Sequence, residues 1–288
     1  IIYIDNGKIK TRVIEKADSV IDLLFMSPGI IDDGKGVNVP NKKLSIPTFR
    51  KEDSKFVDYA LEKGIDYFAL SFVRNAKDIE IWRSQIGNFE GGILAKIENF
   101  EGVENFDEIL DAADGIMVAR GDLGVEIEPE KVPLVQKSII RKCNQNGKPV
   151  ITATEMLESM IYNPNPTRAE VSDVANAILD GTDTIMLSGE TAIGKHPVDA
   201  VEMMSKISLE TEKAVKNTVE DVAFMTISDA ISKAIQRICQ NMHIDKVITL
   251  TRSGYTAKMI ARLKIQQPIL AVTPKLKTKR QLELVFGV

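Results

Sequence analysis

The sequence predicts an α/β fold: a short β-rich segment, then a parallel sheet covered by helices, then a smaller α/β module. Three observations carry this. Up to about Asn41, short alternating runs are punctuated by the turn sequences Asp5-Asn6-Gly7, Ser27-Pro28-Gly29 and Asp32-Asp33-Gly34. After Pro40, apolar runs of four to six residues alternate with amphipathic stretches, the pattern of successive βαβ units. A break at about 216–222 is followed by a fresh start of the same alternation.

The opening β segment is too short to stand alone. Five parallel strands are expected at 67–73, 93–98, 115–119, 150–154 and 184–187. Among the helices between them, one carries Val132, Val135, Ile139, Ile140 and Cys143 on one face and ends at Asn146-Gly147. Another follows Pro166, where Thr167 and Glu170 have the spacing of a capping box and Gly181 marks the far end. A long helix presents Val198, Val201, Met204 and Ile207 at helical spacing. Beyond the break come a helix with Ile231, Ala234, Ile235 and Ile238, a strand at 247–250, a loop, a second helix and a strand at 269–272. The chain opens inside a strand pattern and stops at Val288 inside a helical one, so a piece of a longer protein is expected.

Composition bounds the function. With 44% hydrophobic and 27% charged residues in 288, the chain has enough apolar material for a sizeable core. A formal charge of -4 argues against a general nucleic-acid surface, which needs clustered cations. No apolar run approaches the roughly 20 residues that span a bilayer, and no basic segment leads an apolar core at the N-terminus, so a cytoplasmic protein is expected. Cys143 and Cys239 are far apart, each in an apolar helical pattern, and read as reduced, buried thiols.

Where parallel βα units converge on one mouth, chemistry collects at the C-terminal strand ends. Those ends carry Ser71 and Arg74, Lys96 and Glu98, Arg120 and Asp122, Thr152 and Thr154, and Ser188 and Glu190. Alternation puts Lys96 and Glu98 on one face and apolar Ala95 and Ile97 on the other. The charged pair is either a structural ion pair or a site completed by ligand or metal. Glu98 and Asp122, with only two unpaired histidines in the chain (His196 and His243), suit a hard divalent cation such as Mg²⁺ and not zinc or a histidine-based triad. Gly121 is either an ordinary turn glycine or a place where a backbone N–H approaches an anion. Thr152 and Thr154 share a strand face and serve either packing or substrate contact.

The run Ile93-Leu94-Ala95-Lys96-Ile97-Glu98-Asn99-Phe100-Glu101-Gly102-Val103 resembles the signature strand of pyruvate kinases. Four further stretches match in order: Met117-Val118-Ala119-Arg120-Gly121-Asp122-Leu123-Gly124, Ala153-Thr154-Glu155-Met156-Leu157-Glu158-Ser159-Met160, Pro166-Thr167-Arg168-Ala169-Glu170, and Met186-Leu187-Ser188-Gly189-Glu190-Thr191. The resemblance implies a partial (β/α)₈ TIM barrel. Residues 1–41 would be the end of a β-rich lid domain, 42–215 the later part of the barrel, and 216–288 a truncated C-terminal α/β regulatory domain. It implies Mg²⁺-dependent (or Mn²⁺-dependent) phosphoryl transfer between phosphoenolpyruvate and ADP, giving pyruvate and ATP. Lys96 would stabilise the phosphoryl group, Glu98 and Asp122 would hold the metal, and Gly121, Asp122 and Thr154 would contact substrate, Thr154 near the face where the enolate is protonated. K⁺ is implied as well, its ligands largely outside this chain.

The loop Thr251-Arg252-Ser253-Gly254-Tyr255-Thr256 resembles the family's sugar-phosphate effector loop. The hydroxyls of Thr251, Ser253 and Thr256 fit a phosphate cradle or, equally, a helix-capping turn. Tyr255 stands where some members carry a basic residue. Arg168 and the C-terminal helices resemble surfaces of a homotetramer. The family's first three barrel strands have no counterpart here, so open sheet edges and little or no turnover from this chain alone are expected. Two other readings are compatible with the same residues: a metal-dependent carbon–carbon lyase acting on an enolate, and a non-catalytic chain kept for assembly or effector binding.

Overall fold

The computed structural model describes residues 1–215 and 226–288, so the break expected at 216–222 lies outside the described residues. Strands β1 (Ile2–Ile4), β2 (Ile9–Ala17), β3 (Val20–Phe25) and β4 (Val37–Asn38) form an antiparallel sheet in the order β3-β2-β1-β4. The β1–β2 turn uses left-handed backbone at Asp5, Asn6 and Gly7. Gly29 is fixed by packing: a Cβ there would lie 2.5 Å from Cγ1 of buried Ile9. Only the base of this sheet is buried, at Ile2, Ile4, Ile9, Thr11 and Asn38, while the outer β2–β3 ribbon is exposed. That distribution agrees with a segment unable to stand alone.

Next come α1 (Asp53–Glu62), β5 (Tyr67–Leu70), α2 (Ala76–Ile86), β6 (Gly92–Ile97), α3 (Phe100–Glu104), α4 (Phe106–Ala112), β7 (Gly115–Ala119), α5 (Arg120–Glu126) and α6 (Val132–Asn146). They are followed by β8 (Val150–Ala153), α7 (Arg168–Leu179), β9 (Thr184–Met186), α8 (Gly189–Ala192) and α9 (Pro197–Glu212). Strands β5 to β9 pair in parallel, each with its sequence neighbour, in one open five-stranded sheet. The helix ends obey their local chemistry. Thr167 and Glu170 form the capping box of α7, and Gly147, at φ +64°, terminates α6.

Alternation sorts the strands into two layers. Ile93, Ala95, Ile97, Ile116, Val118 and Val150 join Ile79, Ile109, Ile139, Ile140 and Cys143 of the covering helices in the main core. Each buried Ile or Val among them contributes about 1.5–3 kcal/mol of transfer free energy. The opposite face holds Leu94, Met117, Ile151 and Ala153, with Tyr67, Met186 and Leu284 packed against them.

Leu284 belongs to the final unit, built from α10 (Ile227–Asn241), β10 (Val247–Leu250), α11 (Tyr255–Ala261), β11 (Ile269–Val272) and α12 (Leu276–Leu282), with β10 and β11 parallel. This unit docks at the N-terminal ends of the five strands. The Tyr67 hydroxyl donates to the Gln281 carbonyl at 3.1 Å, Thr184 Oγ1 donates to the Leu284 carbonyl at 3.0 Å, and Arg280 pairs with Asp66 at 2.8 Å. Lys264, 1% exposed, pairs with Asp183 at 2.7 Å. Aspartates just before strands serve this end: Asp114 accepts from the Ile93 N–H and Asp183 from the Val150 N–H.

Several expectations need correction. Strands β5 and β8 are shorter than predicted, ending at Leu70 and Ala153. In α9, Met204 and Ile207 are buried but Val198 and Val201 are exposed. In α10 the expected face holds only in part: Ile235 packs against the core, but Ile231, Ala234 and Ile238 are exposed, while Asp229, Ser232 and Gln236 are buried. The reason lies in distant partners, since Asp229 pairs with Arg262 and Gln236 donates to the Leu263 carbonyl. Cys143 is buried as expected, whereas Cys239 is only half-buried.

Candidate active site

The C-terminal ends of β5 to β8 place four loops side by side. Beyond β5 the chain turns through Phe72 at φ +54°, an uncommon conformation for a bulky residue. The turn aims the Phe72 N–H at Glu98 Oε2, 2.6 Å away. Glu98, the residue after β6, is 1% exposed, and its Oε1 lies 2.8 Å from Lys96 Nζ. Lys96 also donates to Ser71 Oγ at 2.8 Å. Ser71, Lys96 and Glu98 are thus one hydrogen-bonded unit, and the predicted pairing of Lys96 with Glu98 is present.

Asp122 sits in the first turn of α5. Burial pushes the carboxyls of Glu98 and Asp122 above the usual carboxylate range, and the Lys96 ammonium opposes the shift at both. The two carboxylates also feel one another, Asp122 raising Glu98. The Lys96 ammonium thus faces two carboxylates, one in direct contact and one acted on through space. Among the described residues no group of three or more His, Cys, Asp and Glu could hold a metal by itself. Two carboxylates are a donor type that would suit Mg²⁺, a cation that keeps several waters or substrate oxygens.

Gly121 and Thr154 are brought together. The Gly121 N–H donates to Thr154 Oγ1 at 2.8 Å, and that hydroxyl donates to the Ala153 carbonyl at 2.6 Å. A Cβ on Gly121 would lie 3.5 Å from Thr154 Oγ1, an ordinary contact, and the glycine does not have positive φ. Neither packing nor backbone within the chain demands a glycine there.

Thr152 and Thr154 do not share a strand face as predicted, because β8 stops at Ala153 and Thr154 turns out of the strand at φ +68°. Thr152 is fully buried and donates to Thr182 Oγ1 at 3.0 Å. Other strand-end candidates also serve the scaffold. Arg74 holds Asp78 through two nitrogens, and buried Glu190 accepts from the backbone N–H groups of Leu157 and Ser188. Arg120 turns away from the mouth to the carbonyls of Thr154 and Glu155 and to Asp173.

Two contributors escaped the sequence reading. The Phe72 amide has no side-chain signature, and only its positive φ marks it. Buried Asn38 of β4 donates to Glu126 Oε1 at 3.1 Å, tying the antiparallel sheet to the helix that carries Asp122. Between them a cleft of about 470 Å³ is walled in part by Asn38, Ser71, Phe72, Trp82, Asn99 and Glu126.

In the final unit Thr251 is buried, and its Oγ1 accepts from the Gly254 N–H at 2.9 Å, closing the turn before α11. That is the capping-turn use of this hydroxyl. Ser253 and Thr256 are exposed on the same loop. Arg168 is exposed at the start of α7. No helix among the described residues is long and apolar enough to cross a membrane.

Comparisons with known proteins find relatives that match the chain from end to end. Residues 1–201 match the family model described as pyruvate kinase, barrel domain, and 229–288 match pyruvate kinase, alpha/beta domain. The pyruvate kinase of Sporosarcina psychrophila is 47% identical over 298 residues, and that of Geobacillus stearothermophilus 47% over 299; each match covers all of this chain and 51% of the relative. The Methanocaldococcus jannaschii pyruvate kinase is 43% identical over 291 residues, covering all of this chain and 65% of the relative. The chain thus spans about half the length of most curated relatives it matches. With both family models matched and the signature residues gathered at one sheet end, the chain belongs to the pyruvate kinase family.

Proposed function

We propose that the protein carrying this chain transfers a phosphoryl group from phosphoenolpyruvate to ADP, yielding pyruvate and ATP. The supporting observation is the hydrogen-bonded unit of Ser71, Lys96 and buried Glu98 at the end of β6, with the Asp122 carboxylate at the end of β7 within electrostatic reach. Phosphoryl transfer needs alignment and charge neutralisation more than covalent help from the protein. The Lys96 ammonium neutralises charge on the moving phosphoryl oxygens, and Ser71 and Glu98 hold that ammonium in place. Glu98 and Asp122 hold Mg²⁺ or Mn²⁺. When bound, such a cation withdraws charge from substrate oxygens as a Lewis acid. Gly121 and Asp122 contact the substrate, the Gly121 N–H exchanging the Thr154 hydroxyl it holds here for a substrate carboxylate. Thr154 lies where the enolate left after transfer takes up its proton.

Around this core the family reading supplies the rest. Residues 1–41 act as part of a lid, 42–215 as part of a barrel and 216–288 as part of a regulatory domain. K⁺ binds chiefly through residues outside this chain, and the whole protein works in the cytoplasm as a homotetramer. A sugar phosphate binds through Ser253 and Thr256, with Thr251 shaping the loop. By itself the chain turns over little, because β5 and β9 leave the sheet open at both edges.

Calorimetric titration of Mg²⁺ with oxalate, a mimic of enolpyruvate, tests the assignment. Binding to the chain should require the metal and should be lost in Glu98→Gln. Metal-dependent binding that survives this substitution would remove Glu98 from the site and the reading with it.

A further inference from the structure

Thr154 and Glu155 are consecutive non-glycine residues in left-handed backbone, at φ +68° and +53°. A single such residue is uncommon, and two in succession persist only where their surroundings over-determine them. Neither is deeply buried, so core packing does not hold them there. Both of their carbonyls accept from Arg120. Its guanidinium is 8% exposed and donates from Nε and Nη2 to the Thr154 carbonyl at 3.2 and 2.8 Å. Nη2 also reaches the Glu155 carbonyl at 2.9 Å. From the other side Asp173 of α7 takes Nη1 at 2.6 Å, with Gln136 of α6 at 3.5 Å. The planar fork of arginine can bind two adjacent carbonyls and a carboxylate at once; a lysine ammonium cannot reproduce that geometry.

Resting on the role proposed for Thr154, we infer that Arg120 is a positioning residue. It clamps the carbonyls of the left-handed pair so that Thr154 Oγ1 faces Gly121, and it touches no reacting atom itself. The chain geometry supports a mechanical link. Arg120 begins α5, the same helix whose next two residues are Gly121 and Asp122. One side chain therefore sets the spacing between the end of β8 and the start of α5.

The test uses the full-length protein with Mg²⁺, following deuterium uptake at the methyl group of pyruvate by NMR, alongside Mg²⁺–oxalate affinity. Thr154→Ala should slow uptake about a hundredfold, the scale of a lost proton-transfer group. Arg120→Lys should slow it to a similar degree and leave oxalate affinity within about threefold, and adding it to Thr154→Ala should cost little more. Glu155→Gly, which makes left-handed backbone cheap at one position, should restore part of the uptake lost in Arg120→Lys. A merely structural arginine would give none of this pattern. Unchanged uptake in Arg120→Lys, equal losses with and without Thr154, or no recovery with Glu155→Gly overturns the inference. If Thr154→Ala alone leaves uptake intact, the role of Thr154 fails first and takes the inference with it. Should Arg120→Lys not fold, Asp173→Asn, which loosens the same clamp from α7, must slow uptake in its place; no effect there also overturns it.

Discussion

Replacing Lys264 by Met removes one charge from the junction between the final unit and the sheet while keeping the length of the side chain. Lys264 Nζ meets Asp183 Oδ1 at 2.7 Å, and the same carboxylate accepts from the Phe286 N–H at 3.2 Å and the Val150 N–H at 3.0 Å. Without the ammonium, a buried carboxylate keeps two backbone donors but loses the cation in direct contact with it, Lys258 being the remaining charge that acts on it. Breaking one side of a buried pair typically costs about 3–5 kcal/mol. For 288 residues, an unfolding entropy of about 2.1 cal/mol/K per residue gives about 0.6 kcal/mol/K. The midpoint should therefore fall by about 5–8 °C in a thermal melt followed by circular dichroism. Adding Asp183→Asn should recover part of the loss, because the orphaned charge is gone. A Lys264→Met midpoint within about 1 °C of wild type, or a double variant as unstable as the sum of the singles, would refute this account of the junction.

Two further outcomes are expected. Burial, with Asp114 and Asp66 nearby, pushes the Tyr67 hydroxyl up to about 12. The stability it contributes is full below its unfolded value near 10 and is lost as pH rises toward 12, so alkaline urea melts of Tyr67→Phe should show a shallower decline than wild type above pH 10. Thr152→Val should cost about 1 kcal/mol in urea unfolding, the worth of one neutral hydrogen bond, and leave Mg²⁺–oxalate affinity unchanged; a large affinity loss would return Thr152 to the site.

Periodicity made the sheet legible. The apolar alternation of Ile93, Ala95 and Ile97 alone fixed which way Lys96 and Glu98 face, since only one side of β6 could enter the core. Strand length was less legible, because alternation continues through Ser71 to Val73 and through Thr152 to Thr154 while the backbone has already left the sheet. What ends those strands is a requirement from elsewhere: the Phe72 amide is recruited by Glu98, and the carbonyls of Thr154 and Glu155 by Arg120. Interactions between residues dozens of positions apart leave no local trace. The same cause rotated α10, whose isoleucine stripe suggested a buried face of which only Ile235 packs inward, while the buried partner of Asp229 is Arg262, 33 positions later.

The contact between Tyr67 and Gln281 joins residues 214 positions apart, and Leu284 covers the inner sheet face from a still later position. Ribosomes add about 5–20 residues per second, so roughly 10–40 s separate the synthesis of β5 from that of the segment that seals it. Through that interval Leu94, Met117 and Ile151 lack one of their covering neighbours. Sealing of the sheet is thus a late step of biosynthesis, and the nascent chain presents a sticky surface to chaperones for longer than its individual βα units need to form.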